Sequence, residues 1–212
     1  MAGCTQSSVA GRRLGRPDLY TYLAGDAADD GFAAYRWTDR NLWVERVHAR
    51  SPQALRALWS VIASHSANAA NVTGLTAPSD PFWWLTRERD ATITRRSMWM
   101  LRVVDLPAAI AARGFRAAVS VSVPLLITDQ VRPANEGSWQ LTVTDGAGTL
   151  IPNGSMPSPV PLRLGPRGVA GLYAGTPLAT LRLAGLASGG TRETDAALDA
   201  AFAATPYMLD EF

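Results

Sequence analysis

Between Leu42 and Ile62 the hydrophobic period of the chain changes from that of a strand to that of a helix, and nothing else in the sequence constrains the fold as strongly. In "LWVERVHA" (42–49) Trp43, Glu45 and Val47 alternate with Val44, Arg46 and His48, the period of a half-buried strand. Ser51 then offers an N-cap and Pro52 sits at the first helical position. Leu55, Leu58, Trp59 and Ile62 follow at i, i+3, i+4 and i+7, one apolar face of a helix. A strand that runs into an amphipathic helix commits this region to mixed α and β structure.

The remaining elements support an α+β fold. "LYTYLA" (19–24) and "GFAAYRW" (31–37) read as strands around the turn cluster "GDAADDG". "ANVTGLTA" (70–77) is a further strand, and "DPFWWLTRER" (80–89) begins as a short capped helix. "MWMLRVV" (98–104) is continuous and apolar, which predicts a strand buried on both faces. Asp105 caps the helix "LPAAIAAR", with Gly114 as its expected stop. "AAVSVSVPLLIT" (117–128) alternates like a strand, and "SWQLTVT-DGAG-TLI" (138–151) reads as a hairpin. Three short helices close the chain, within "GPRGVAGLYAG", "TPLATLRLAG" and "TRETDAALDAAFAAT". Strands followed by helices indicate α+β rather than alternating parallel β/α.

Charge and composition exclude several functions. All 20 basic residues are Arg, which removes a lysine Schiff base and a P-loop lysine. Residues 1–116 carry +5 and residues 117–212 carry −3, so the net charge of +2 divides near a plausible domain boundary. No basic stripe with interleaved aromatics is present, which argues against nucleic acid. Cys4 is the only cysteine, so no intrachain disulfide can form. The first residues contain no apolar signal core, and no apolar run reaches the ~20 residues of a membrane span. The reading is a cytoplasmic protein without a membrane partner.

Chemistry is sparse. His48 on a strand and His65 near a helix end are structural or surface histidines rather than metal ligands, and one cysteine with two separated histidines makes no zinc set. No G-x-S-x-G elbow is present. "DGAG" (145–148) contains G-x-G but lies in a hairpin turn and opens no helix, so it is no phosphate cradle. Pattern alone yields an α+β protein with neither metal nor cofactor-binding residues.

Two stretches carry a resemblance. "MWMLRVVDLPAAIAARGF" (98–115) and "GVAGLYAGTPLATLRLAGL…LDAAFAATPYMLDEF" (168–212) resemble the C-terminal half of N-acetyltransferases of the enhanced intracellular survival (Eis) family. The resemblance implies a three-part protein: an N-terminal acetyltransferase domain of the GNAT type that binds acetyl-CoA, a GNAT-like central domain without that site, and a sterol-carrier-protein-like α+β domain. This chain would hold a flexible lead-in (1–16), the degenerate GNAT-like domain, a mixed sheet with helices (17–104), and the sterol-carrier-like domain (105–212). The basic-x-x-Gly-x-Gly/Ala turn that holds a pyrophosphate at a helix N-terminus has no counterpart: "AGRRLGRP" (10–17) runs into Pro17 and a strand. The resemblance therefore implies that acetyl-CoA is bound by a domain absent from this chain, which alone is expected to be inactive.

It also gives a role to the ending "TPYMLDEF". In the family the C-terminal carboxylate is the general base that deprotonates the amine substrate, which assigns that task to Phe212. A free α-carboxylate has a pKa around 3.5, so its value lies in placement and charge. Glu211 and Asp210 would form an acidic wall for a cationic substrate such as an aminoglycoside or a protein lysine. Trp99 would line the substrate cavity. Read without the resemblance, Phe212 is a docked hydrophobic terminus and Trp99 a core residue. The resemblance further implies a homo-oligomer and a missing acetyltransferase domain as partners. A different class stays open: a non-catalytic module that binds an apolar ligand or serves only assembly, for which seven Trp could cover interfaces.

Overall fold

The computed structural model describes residues 9–12 (backbone only), 18–25, 30–86, 91–154 and 160–208. It divides into two compact units: one reaching Thr92 and one spanning Ile93–Met208. The sequence reading places its division at 104/105, while the compact units part at 92/93.

The first unit is a five-stranded sheet in the order β1-β2-β3-β4-β5: β1 (Val9–Arg12), β2 (Leu19–Ala24), β3 (Gly31–Thr38), β4 (Asn41–Ala49) and β5 (Asn71–Gly74). All neighbours are antiparallel except β4 and β5, which are parallel and joined through helix α1 (Pro52–Ala63). β1 falls within the stretch expected to be a flexible lead-in, and its backbone pairs with β2 from Val9↔Ala24 to Arg12↔Thr21. Residues 1–8 and 13–17 lie outside the described residues.

The alternation read in β4 is broken by a bulge. Ala34 pairs with Arg46 and Tyr35 with Val44, leaving Glu45 opposite no partner. One extra residue turns the remainder of the strand over. Leu42 and Val44 face the core before it, while Val47 and Ala49 pack on the same core after it. Trp43 and Val47 therefore do not share a face. Helix α1 lays Ala54, Leu58 and Ile62 on this core; a fully buried Leu contributes about 1.5–3 kcal/mol. At its centre Tyr35 is 1% exposed, with the rings of Tyr20 and Tyr22 stacked at 5.7 and 5.8 Å. The Tyr35 hydroxyl meets His65 Nε2 at 2.6 Å. Burial, then the hydrogen bond with Tyr22, pushes the Tyr35 phenol pKa up. His65 also packs edge-on against Trp37, so it serves as a structural histidine. Helix α2 (Phe82–Leu85) closes the unit; Asp80 accepts from the Phe82 amide and Phe82 packs on Trp59 at 4.5 Å.

The second unit departs from the sequence reading at its start. Residues 91–103 form no strand, and Met98 and Met100 are 83% and 99% exposed. The expected strand buried on both faces is absent, because no other strand pairs with it; only Val103 enters the core. From there a polar hub takes over. Asp129, 3% exposed, accepts two bonds from Arg102 Nη2 (2.6 and 2.8 Å) and one each from the amides of Val131 and Arg132. Asn135, also buried, donates from Nδ2 to the Val103 carbonyl and accepts from the Leu106 amide at Oδ1.

Helix α3 (Leu106–Ala112) starts at the Asp105 cap as expected, with Asp105 Oδ1 accepting from Ala108 N at 2.9 Å. It ends where Arg113 turns extended (φ −75°, ψ 130°), so Gly114 is not its stop. The sheet order is β10-β9-β6-β7-β8, from β6 (Val121–Ile127), β7 (Gly137–Thr144), β8 (Ala147–Pro152), β9 (Leu162–Leu164) and β10 (Ala187–Ser188). The β7–β8 hairpin turns at Asp145 and Gly146, two residues rather than four, with Ala147 and Gly148 already in the strand. The three closing helices are α4 (Pro166–Tyr173), α5 (Leu178–Leu183) and α6 (Arg192–Phe202). Gly175 and Gly185 of the "LYAGTPLATLRLAG" run follow α4 and α5 at φ +86° and +70°. Each helix ends in the paired reverse bonds of a left-handed cap: Gly175 N to Leu172 O and Thr176 N to Gly171 O, then Gly185 N to Arg182 O and Leu186 N to Leu181 O. Thr191 and Thr194 form a capping box on α6.

The hub makes this unit sensitive to acid. Burial raises the Asp129 pKa, but the bonds from Arg102, Arg132 and Asn135 outweigh it and hold the carboxyl below its ordinary value. The unfolded Asp protonates near pH 3.9, before the folded one. The hub's contribution is thus complete above that pH and is lost as pH falls from there toward the folded value. Urea unfolding between pH 7 and pH 3 should show this loss, and Asp129→Asn should be less stable at pH 7 yet depend less steeply on pH at the acid end.

Candidate functional site

The C-terminal stretch singled out by sequence leaves the fold at Phe202, the last residue of α6, and runs without regular structure through Met208. Its point of departure is clamped. Arg113 sends Nη1 to the Tyr173 carbonyl at 2.7 Å and Nη2 to the Phe202 carbonyl at 3.1 Å. These carbonyls close α4 and α6, where a helix lacks internal partners and favours a cation. The guanidinium carbon lies 5.6, 4.9 and 5.1 Å from the ring centroids of Phe115, Tyr173 and Phe202, within cation–π range. A Cβ on Gly175 would come within 2.8 Å of the Ala204 amide nitrogen, so only glycine admits the departing backbone here.

A cavity of about 350 Å³ opens at this base. Arg116, Thr176, Asp199 and Thr205 supply its polar wall and Phe202 part of its apolar one. Asp199 is oriented by accepting from the Leu178 amide at 2.8 Å. One cation, one carboxylate and two hydroxyls suit the binding of a small polar group. No nucleophile–base pair lies among them.

Phe212, Glu211 and Asp210 lie outside the described residues. Trp99 is described: it is 38% exposed in the strandless segment and lines neither this cavity nor the unit's core. The core-packing reading of Trp99 is therefore wrong, since no strand forms around it. Sequence reading missed Arg113, whose partners lie 60 and 89 residues away. The only local hint was a basic residue at the end of a short apolar helix.

In the first unit the position to test is the N-terminus of α1, where a diphosphate would need free backbone amides. It is already occupied from within the chain. Ser51 Oγ accepts from the Ala54 amide at 3.1 Å and donates to Asp30 Oδ2 at 2.6 Å. Pro52 has no N–H to offer, and no glycine between His48 and Leu55 lets a ligand approach the backbone. A carboxylate at the cap repels a second anion, so these residues do not fit the diphosphate of a coenzyme. Among the described residues no group of three or more His, Cys, Asp or Glu could hold a metal ion, and no helix is long and apolar enough to cross a membrane.

The second unit's interior bears on the sterol-carrier resemblance. A void among the described residues, lined by Leu106, Ile110, Leu125, Leu141 and Phe202 among others, measures about 20 Å³. That is about one water, against the roughly 300 Å³ or more of a ligand pocket.

Residues 6–103 match the acetyltransferase (GNAT) domain family and residues 106–209 the sterol carrier protein domain family. No curated protein matches the chain. Among solved structures, a GCN5-related N-acetyltransferase from Kribbella flavida is 45% identical over 92% of this chain, with a TM-score of 0.85. A second, from Anabaena variabilis, is 28% identical over 95% of it, also at 0.85. Eis1 from Mycobacterium abscessus shares the fold at 22% identity over 93% of the chain and a TM-score of 0.70. This chain spans only 49%, 52% and 52% of those proteins.

Replacing Arg113 should loosen the tail. Arg113→Ala removes two charged hydrogen bonds and three ring contacts and should cost about 2–4 kcal/mol. Urea unfolding measures the cost, and hydrogen exchange should speed up at 203–208. Arg113→Lys should recover little of it, because an ammonium cannot fork between two carbonyls.

Proposed function

We propose that this chain, an acetyltransferase-type domain followed by a sterol carrier protein-type domain, is the substrate-side portion of an Eis-type N-acetyltransferase. The observation that carries the reading is the 45% identity to an N-acetyltransferase that continues across both units, not one. The GNAT domain family uses acetyl-CoA. The self-capped N-terminus of α1 does not fit that coenzyme, so acetyl-CoA belongs to a further acetyltransferase domain, and no cofactor step is assigned to these residues.

What this chain contributes is acceptor chemistry. The substrate amine arrives as an ammonium and must lose a proton before it can attack an acyl group. The α-carboxylate of Phe212 takes that proton, directly or through one water, from within hydrogen-bond reach. Its low basicity is offset by orientation and by attraction to the cation. Glu211 and Asp210 add negative charge beside it, suiting polycationic acceptors such as aminoglycosides or protein lysines. The Arg113 clamp supports this reading because a terminal base needs a fixed root. The protein acts in the cytoplasm and as an oligomer.

The alternative of an apolar-ligand carrier has the packing against it: an interior void of about 20 Å³ holds no lipid.

Two measurements test the proposal. In a full-length form, deleting Phe212 or appending residues after it should lower kcat by at least about 100-fold, the scale of a lost general base; undiminished turnover would sink the terminal-base role. For this chain alone, calorimetric titration with acetyl-CoA should show no binding, and micromolar affinity would refute the assignment of the coenzyme to another domain.

A further inference from the structure

The cavity at the base of the C-terminal stretch lies wholly within the second unit and holds two opposite charges that do not meet. Arg116 and Asp199 both line it, yet they form no ion pair with each other. The Arg116 guanidinium has no side-chain or backbone partner among the described residues. Asp199 commits one oxygen only: Oδ1 accepts from the Leu178 amide, and Oδ2 has no partner among those residues. Each charge is left to water or to a ligand group of opposite sign.

The two ends of the cavity differ in character. Asp199 stands in the last turn of α6, where the negative pole of the helix adds to its carboxylate, so this end suits an ammonium. Arg116 suits a carboxylate, and the hydroxyls of Thr176 and Thr205 can donate to one group or accept from the other. The walls are also set in advance. A Cβ on Gly175 would come within 2.9 Å of the carbonyl oxygens of Phe202 and Ala204, so the end of α4 and the chain leaving α6 touch backbone to backbone. Arg113 ties the same two segments through the Tyr173 and Phe202 carbonyls. A preformed site loses little entropy on binding. Its volume of about 350 Å³ falls at the small end of the roughly 300–1,000 Å³ of small-molecule sites.

We propose that this cavity binds a small zwitterion, an amino acid of a few carbons, with its ammonium at Asp199 and its carboxylate at Arg116. A lone anion would leave the Asp199 carboxylate facing it, and a lone cation would leave Arg116 unanswered. A zwitterion satisfies both and adds no net charge. Once bound, it bridges Arg116, ahead of β6, to the stretch Phe202–Thr205. The inference goes beyond acetyl transfer, since none of these residues has a part in that reaction.

The test titrates the full chain with glycine, β-alanine, 4-aminobutyrate and 6-aminohexanoate, a series of increasing charge separation, and follows the backbone amide resonances. At least one of them should bind in the millimolar range and move the amides of Gly175, Thr176, Ala203, Ala204 and Thr205. Acetate and methylammonium, which carry one charge each, should bind at least about 10-fold more weakly. Arg116→Gln alters an exposed side chain, and Asp199→Asn keeps the Oδ1 acceptor for Leu178, so both variants should fold. Each should weaken binding at least about 10-fold. No binding by any of the four overturns the proposal. So does binding that either substitution leaves unchanged, which puts the ligand elsewhere or on one charge alone. Acetate or methylammonium binding as tightly as the best amino acid also overturns it, in favour of a single-ion site.

Discussion

Asp129 is a carboxylate taken out of water and then almost fully satisfied, and the second unit is organised around that fact. A buried charge without partners costs several kcal/mol, so every group that reaches Asp129 is committed to its position. Arg102 fixes the chain as it enters the unit. The amides of Val131 and Arg132 fix the loop after β6. Asn135 links the entering chain to the start of α3, and its carbonyl accepts from Trp139 Nε1 on β7. One carboxylate and one amide thus register the entry segment, the first helix and two strands before any apolar packing is counted.

The opposite end of the same unit uses a cation in the same way. Arg113 joins the closing carbonyls of α4 and α6, and three aromatic rings shield it from solvent. Its effect falls on the root of the C-terminal tail. The two hubs hold the two places where irregular chain joins the packed part of this unit: the strandless segment before Val103 and the stretch after Phe202. In the acetyltransferase-type unit, Asp30 and Ser51 close the helix terminus at which a coenzyme diphosphate would sit.

Local features were legible wherever the cause was local. Ser51 and Asp105 act as the caps expected of them, because a side-chain oxygen and an amide three residues on are neighbours in sequence. The helices α4 to α6 and the β7–β8 hairpin follow their start and turn signals. Errors arose where a distant partner decided. Alternation in β4 implied one continuous face, but the bulge at Glu45 reversed it, and a bulge is set by the neighbouring strand. Residues 98–104 carry the composition of a buried strand, and composition cannot state whether a neighbour is present. Arg113 looked like a helix-end residue because its partners are 60 and 89 positions away.

By itself the sequence determined the α+β class, the helices α1 and α3 to α6, the β7–β8 hairpin and the N-caps Ser51 and Asp105, since these follow from side-chain period and from bonds a few residues long. It also carried the resemblance that singles out Phe212, Glu211, Asp210 and Trp99. Tertiary structure alone decided that residues 91–103 form no strand, which groups Asp129 and Arg113 bind, and how closely the void among Leu106, Ile110 and Phe202 is packed. Those outcomes depend on volumes and partners brought together from across the chain, and no local pattern of residues contains them.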